Sequence, residues 1–335
     1  MITVVRIRNS SEAFLQQMTE PTPQKSLVLG GKGFIGSHLV DALVAAGQSV
    51  RVLDRPNLTP LSEPAIISKV EWFDGDSTSE TDVRQALEGC DICYHLVSTT
   101  LPKSSNADPL FDVETNVLGT LRLLTHAVRL GVKKVVFVSS GGTVYGIPKT
   151  VPVDENHPTD PISSYGITKL AIEKYLHLFF DLHKLDYTIL RVSNPYGERQ
   201  RTLALQGAIA IFLGKVLRGE TVDIWGDGTT IRDYVYIGDV IQALLRAGAH
   251  NGPARVFNIG SGAGLTLNEV LDEIERATGL KSKRNYATAR GFDVPRNILS
   301  IARAKAEMGW EPRTSFADGL ARTVAWLRSR PTNEN

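Results

Sequence analysis

The chain has 335 residues, 42% of them hydrophobic and 22% charged, with a formal net charge of +1. This is ordinary globular composition, long enough for one large domain or two smaller ones. The near-neutral balance argues against a nucleic-acid or membrane-surface partner, and no apolar run approaches the ~20 residues needed to span a bilayer.

Residues 1–25 are mixed and polar, without the apolar core and small-residue site of a secretory signal, and read as an arm. Residues 26–29 form a short apolar run that predicts a buried strand. Gly30, Gly33 and Gly36 follow in a G-x-x-G-x-x-G spacing, and Phe34, Ile35 and Leu39 open a helical pattern. A strand that turns through glycines into a helix is a phosphate cradle. Glycine admits close backbone approach, and the helix N-terminus presents free N–H groups with partial positive charge. Three glycines alone are weak evidence; an acidic residue closing the next strand strengthens it. Residues 50–53 predict that strand, and Asp54 closes it.

Further along, 66–73 predict a third strand closed by Asp74-Gly75-Asp76, 80–87 a helix and 91–97 a fourth strand. Cys90 and Cys93 are the two cysteines, at the start of that strand. No second Cys/His pair completes a metal site, so no metal is expected. The pair reads as core thiols in a reducing, cytoplasmic compartment. Residues 108–130 carry a helical period stopped by Gly131, 134–139 predict a fifth strand, 164–185 a long helix and 187–192 a sixth strand. This alternation predicts an α/β fold with a Rossmann-type doubly wound parallel sheet. From Asn194 the rhythm changes: helical patterns at 203–218, 237–249, 265–278 and 315–329 mix with extended runs at 221–225 and 256–259. The expected organisation is an arm at 1–25, a dinucleotide-binding domain at 26–193, a smaller mixed α/β lobe for substrate at 194–330, and a tail at 331–335. Some segments of the second lobe, such as 237–259, are expected to return to the main domain.

Tyr165 and Lys169 form a Y-x-x-x-K pair on one face of the long helix. A tyrosine with a reference pKa of ~10 is a poor base at neutral pH, and a nearby ammonium favours its phenolate.

With these residues in place, the chain resembles the extended short-chain dehydrogenase/reductase superfamily, and within it the NAD-dependent nucleotide-sugar epimerase/dehydratase family. The resemblance rests on GGKGFIGSHL, DGDS, YHLVS at 94–98, NVLGT at 116–120, SSGGTVYG at 139–146, YGITK at 165–169, RVSNPYGERQ at 191–200, GDGTTIRDYVYIGDV at 226–240 and FNIGSG at 257–262. It implies that Gly30, Gly33, Phe34, Ile35 and Gly36 hold the NAD pyrophosphate. Asp54, followed by Arg55, would accept the adenosine ribose hydroxyls and repel a 2′-phosphate, favouring NAD over NADP. Asp76 and Ser77 would meet the adenine, Leu96 and Ser98 would line the cofactor path, and Asn116 would support the site from below. Tyr165 would be the base, and Lys169 would also hydrogen-bond the nicotinamide ribose.

One departure stands out. Gly141 occupies the position where the family usually carries a Ser or Thr beside the tyrosine, so Ser140 or Thr143 is expected to supply that hydroxyl, with Thr143 preferred. Relatives that dehydrate or decarboxylate the sugar place carboxylates where this chain has Gly142 and Thr143. Eliminating water needs a proton donor for the leaving hydroxyl. The resemblance therefore implies an epimerase acting at C4 of a nucleotide sugar, a UDP-sugar above others, through a transient 4-keto intermediate. A 4-reductase, a 4,6-dehydratase and a non-catalytic NAD-binding sensor are the alternatives. Asn194, Arg232 and Arg290 resemble the family's diphosphate anchors, for which arginine's planar fork is suited. Asp293 sits where an acidic residue would touch the nucleoside ribose. Asn297 falls where some 4-epimerases narrow the sugar pocket with a bulky residue, so an N-acetylated sugar or a uronic acid is expected to fit. The two long helices imply a homodimer, and the family context suggests cell-surface polysaccharide synthesis.

Overall fold

The computed structural model describes residues 24–202, 207–288 and 294–329. The arm, the tail, Arg290 and Asp293 lie outside the described residues, apart from Gln24 and Lys25 of the arm.

Six of the seven strands of the main sheet come in the expected rhythm: β1 (Lys25–Leu29), β2 (Ser49–Asp54), β3 (Val70–Asp74), β4 (Ile92–His95), β5 (Lys134–Ser140) and β6 (Asp186–Val192). Beyond β6 the strands shorten: β7 (Asn194–Tyr196), β8 (Thr221–Trp225), β9 (Ile231–Arg232), β10 (Tyr234–Tyr236), β11 (Val256–Ile259), β12 (Leu265–Thr266), β13 (Lys283–Ala287) and β14 (Arg296–Asn297). The main sheet runs β11-β6-β5-β4-β1-β2-β3, all parallel. The order reverses between β1 and β4, which opens a crevice at the carboxyl ends of the strands.

Side chains alternate across this sheet, and both faces are buried. Val28, Val50, Val52 and Val136 pack on one face against helices Phe34–Ala45 and Ile237–Ala249. Leu27, Leu29, Cys93, Val135 and Phe137 pack on the other against helices Glu80–Leu87, Gly119–Arg129 and Ser164–His183. The smaller sheets are β7·β10, β8·β13 and β12·β9·β14, and residues of β7, β8, β9 and β10 line one cavity with the carboxyl ends of β5 and β6. Among the described residues, no helix is long and apolar enough to cross a membrane.

Two expectations are corrected. Residues 66–73 are not one strand: Pro64–Ile67 form a helical turn with Pro64 at its start, where a missing N–H costs nothing, and β3 begins at Val70. The helix expected over 108–130 runs without a gap but changes its winding: Pro109–Asp112, a π-helical segment Val113–Leu118, and Gly119–Arg129. π-bulges collect at functional sites. Here the side chains of Asp112 and Asn116 turn from the helix to bind the loop after β4.

Candidate active site

The cradle after β1 is shaped by backbone contact. Gly30 has φ +85°, and its N–H donates to the Leu53 carbonyl at 3.0 Å. A Cβ on Gly36 would lie 2.0 Å from the Gly30 carbonyl oxygen, so the loop and the first helical turn meet only because no side chain is there. Gly33 caps the helix without a side-chain hydrogen bond, leaving the first-turn N–H groups for an anion. At the end of β2 the Asp54 carboxylate accepts from the backbone N–H of Lys32 (2.8 Å) and of Arg55 (2.8 Å). It is thereby held against the cradle. Asp76 lies in the turn after β3, where one carboxylate oxygen takes the N–H and hydroxyl of Thr78; Ser77 follows it.

The loop after β4 carries Leu96 and Ser98. Leu96 N–H donates to Leu29, and Ser98 Oγ donates to the Thr100 carbonyl. Asn116, nearly buried, reaches up from the π segment. Its amide oxygen accepts from Thr99 N–H, and its Nδ2 donates to Thr99 Oγ1 and to Asp112 Oδ1. Asn116 therefore acts on this loop rather than lining the cavity.

Helix Ser164–His183 starts where the Ser163 hydroxyl accepts from Gly166 N–H, and Tyr165, Lys169 and Glu173 follow at one-turn spacing facing β5. The Tyr165 hydroxyl is within hydrogen-bonding reach of Ser140 and Ser98. Burial pushes this phenol up to about 12, the Asp112 carboxylate adds to the rise, and the two serine hydroxyls work against it. Lys169 is drawn down to about 8 by burial, opposed by the carboxylates of Asp112 and Glu173. Its ammonium donates to the Val138 carbonyl (3.0 Å) and lies 5.6 Å from the Tyr165 ring centroid. Glu173 is anchored in turn by Arg191 on β6 at 2.6 Å, both buried.

Of the two expected hydroxyls, that of Ser140 lines the cavity with Tyr165. Thr143 Oγ1 is buried with no hydrogen-bond partner, and the Thr143 N–H bonds the Ser140 carbonyl. Gly141 has a steric cause. A Cβ there would sit 2.5 Å from Leu299 Cδ1 and 2.9 Å from the Arg191 carbonyl oxygen, so Leu299 occupies the space a side chain at 141 would need.

A cavity of about 430 Å³ joins these parts to residues that follow β6. Phe34, Ile35, Ser140, Tyr165, Asn194 and Arg232 line it, together with Gln200, Trp225, Thr230 and Tyr234. Among the described residues that line it, none is an aspartate or a glutamate. Asn194 donates from both its backbone and side-chain nitrogens to the Asp233 carbonyl. Arg232 Nη1 donates to the carbonyls of Ile231 and Val294, which fixes the guanidinium on the wall. Asn297, expected to shape the sugar pocket, is instead 1% exposed. It pairs with Arg232 in the sheet and donates to the Gly141 carbonyl, so its place is beneath the turn.

Several residues escape the sequence reading. Trp225 is the outward residue at the end of β8, 45% exposed and on the cavity wall; the alternation of TVDIW, with Val222 and Ile224 inward, carries the signal. Asp233, fully buried, accepts from Ser193, Ser261 and the Leu299 N–H, and ties four loops together. Asp112, also fully buried, has no local signal beyond a polar residue in an apolar period.

The model of the NAD dependent epimerase/dehydratase family matches residues 26–260. A putative UDP-glucose 4-epimerase of Methanocaldococcus jannaschii is 38% identical over 304 residues, covering 90% of this chain and 98% of the relative. The UDP-glucose 4-epimerase of Mycolicibacterium smegmatis is 37% identical, covering 91% and 99%. Among solved structures, the UDP-glucose 4-epimerase of Thermotoga maritima with UDP-glucose superposes with a TM-score of 0.86 at 37% identity, covering 91% of this chain and 99% of that one. The Thermus thermophilus UDP-glucose 4-epimerase in complex with NAD gives 0.83 at 35%, with the same coverage.

Proposed function

The chain belongs to the NAD-dependent epimerase/dehydratase family, and from that premise we infer an NAD-dependent epimerase acting at C4 of a nucleoside-diphosphate sugar. The observation that carries the reading is Tyr165 at the head of one cavity whose described lining has a serine hydroxyl beside it, an arginine opposite it and no carboxylate.

The cradle fits NAD. Gly30, Gly33 and Gly36 leave room for a pyrophosphate at an uncapped helix start, and Asp54 is fixed where ribose hydroxyls would reach it. Phe34 and Ile35 carry the first-turn N–H groups. Asp76 and Ser77 flank the adenine end, with Leu96 and Ser98 along the path. Bound NAD supplies the hydride acceptor that turns C4 into a carbonyl and the donor that returns hydride to the opposite face of the sugar. Tyr165 takes and returns the proton of the C4 hydroxyl. Ser140 donates to the same oxygens, which favours the phenolate. Lys169 adds a positive charge one turn away. A phenol at about 12 in the ligand-free protein is a poor base at neutral pH, so Tyr165 is poised to act only when positive charge is brought beside it.

The substrate side follows from the same chemistry. Arg232 and Asn194 suit a diphosphate, and the half-exposed Trp225 ring offers a face for the base. A UDP-sugar is the favoured substrate, in keeping with the relatives' names. Arg290 and Asp293 keep their proposed roles at the diphosphate and the nucleoside ribose. With no acidic side chain in the described lining, elimination of water lacks its proton donor, which favours epimerisation over dehydration. The outer faces of the helical segments at 109–118 and 164–183 expose Leu110 (77%), Leu182 (65%) and Ile167 (54%), which supports a homodimer paired through them. A monomeric mass in light scattering at micromolar concentration would remove that part of the reading.

The test is Tyr165→Phe. It should retain NAD and lose interconversion of UDP-glucose and UDP-galactose; residual turnover near that of the parent refutes the assignment.

A further inference from the structure

Asp112 is 0% exposed and accepts four side-chain hydrogen bonds from three segments. Thr100 Oγ1 donates at 2.5 Å from the loop after β4. Asn116 Nδ2 donates at 2.9 Å from the π segment. Ser164 Oγ and Thr168 Oγ1 donate at 2.6 and 3.3 Å from the helix that carries Tyr165. All four donors are neutral. A buried carboxylate left unpaired is costly, and four converging donors satisfy its oxygens. Removing it would not merely loosen a surface: Ser164 immediately precedes Tyr165, Thr168 immediately precedes Lys169, and Thr100 lies in the same loop as Ser98.

We propose that Asp112 is a positioning residue for the reaction, a buried carboxylate whose hydrogen bonds tie the start of the helix carrying Tyr165 and Lys169 to the loop facing the cofactor. The proposal rests on the C4-epimerase reading. The negative charge opposes ionisation of Tyr165 and supports the ammonium of Lys169. Other groups face the same pair. The hydroxyls of Ser98 and Ser140 lie near the phenol and work against its rise, and Glu173, tied to Arg191 on β6, faces Lys169. His95 on β4 is itself held below its ordinary range by burial and by Lys169. Asp112 is the group in this set that acts on both Tyr165 and Lys169 from outside their helix. It therefore adds to the rise that burial gives the phenol and opposes the fall that burial gives the lysine.

Asp112→Asn keeps the shape and removes the charge. Both limbs of the pH dependence of kcat should move toward acid by about one unit, because phenolate becomes easier to form and ammonium harder to keep. KM for UDP-glucose and the content of bound NAD should change by no more than about twofold. Ser164→Ala breaks one tie to the helix but leaves the charge; kcat should fall about tenfold with the profile in place. A profile that stays put in Asp112→Asn, or a change confined to KM or thermal stability, overturns the proposal. If the Asn variant does not fold, Ser164→Ala and Thr100→Val decide it: parental kcat in both overturns it. Tyr165→Phe is measured alongside, and turnover there would sink the epimerase reading itself rather than the role of Asp112.

Discussion

Two glycine turns, 30–36 and 141–146, lie at the carboxyl ends of neighbouring parts of one sheet, and they are glycine-rich for opposite reasons. In the first, the obstacle to a side chain is local: the Gly30 carbonyl lies 2.0 Å from where a Gly36 Cβ would stand. In the second, the obstacle at Gly141 is Leu299, which comes from a β-bridge with Val153 far along the chain. The first turn is a device for a ligand, and its spacing announces it. The second is a packing solution, and Ser140, one residue back, lines the cavity with Tyr165.

The largest effect that probes this contrast falls on the chemistry both turns serve. Tyr165→Phe should lower kcat by about 10²–10⁴-fold, the range of general acid–base catalysis, with NAD still bound; a turnover assay and the absorbance of released cofactor check both parts. Next comes the local turn. Gly36→Ala forces backbone against backbone, so the variant should lose copurified NAD and about 3 kcal/mol or more in urea unfolding. A stable variant that retains NAD would break the account of the cradle.

The non-local turn should behave differently. Gly141→Ser should cost about 1–3 kcal/mol by overpacking against Leu299, and Gly141→Ser/Leu299→Ala should recover part of it, as a double-mutant cycle measures. Additive losses would mean that Leu299 is not what excludes the side chain. The smallest effect concerns charge. Lys169 has a folded-state pKa of about 8, below its unfolded value, so its burial penalty is full below pH 8 and disappears as pH rises through the unfolded value of about 10.4. Lys169→Met should therefore raise the melting temperature of the ligand-free protein at pH 7, and the gain should shrink by pH 10.

The same contrast explains what the sequence made readable. The six strands from β1 to β6, the cradle, Asp54 and the Tyr165–Lys169 stripe are set by period and spacing within a few turns of chain, and each stands close to where the pattern puts it. The misplacements involve contacts that no local pattern encodes. That a Cβ at Gly141 would meet Leu299 could not be read from the local sequence. Asn297 looked like a pocket residue, yet its amide is taken by the Gly141 carbonyl. Residues 108–130 showed one continuous helical period, because the π segment shifts the phase without breaking the apolar stripe. Asp112 was invisible for the same reason: its four donors come from segments that the fold alone brings together.

The central claim is most directly tested by giving the purified protein UDP-glucose without added nicotinamide and following both products and the absorbance of reduced cofactor. The account predicts a steady conversion to UDP-galactose that reaches an equilibrium mixture, with no net change in reduced nicotinamide. A 4-keto-6-deoxy product, or product formed only in proportion to reduced cofactor consumed, would contradict it.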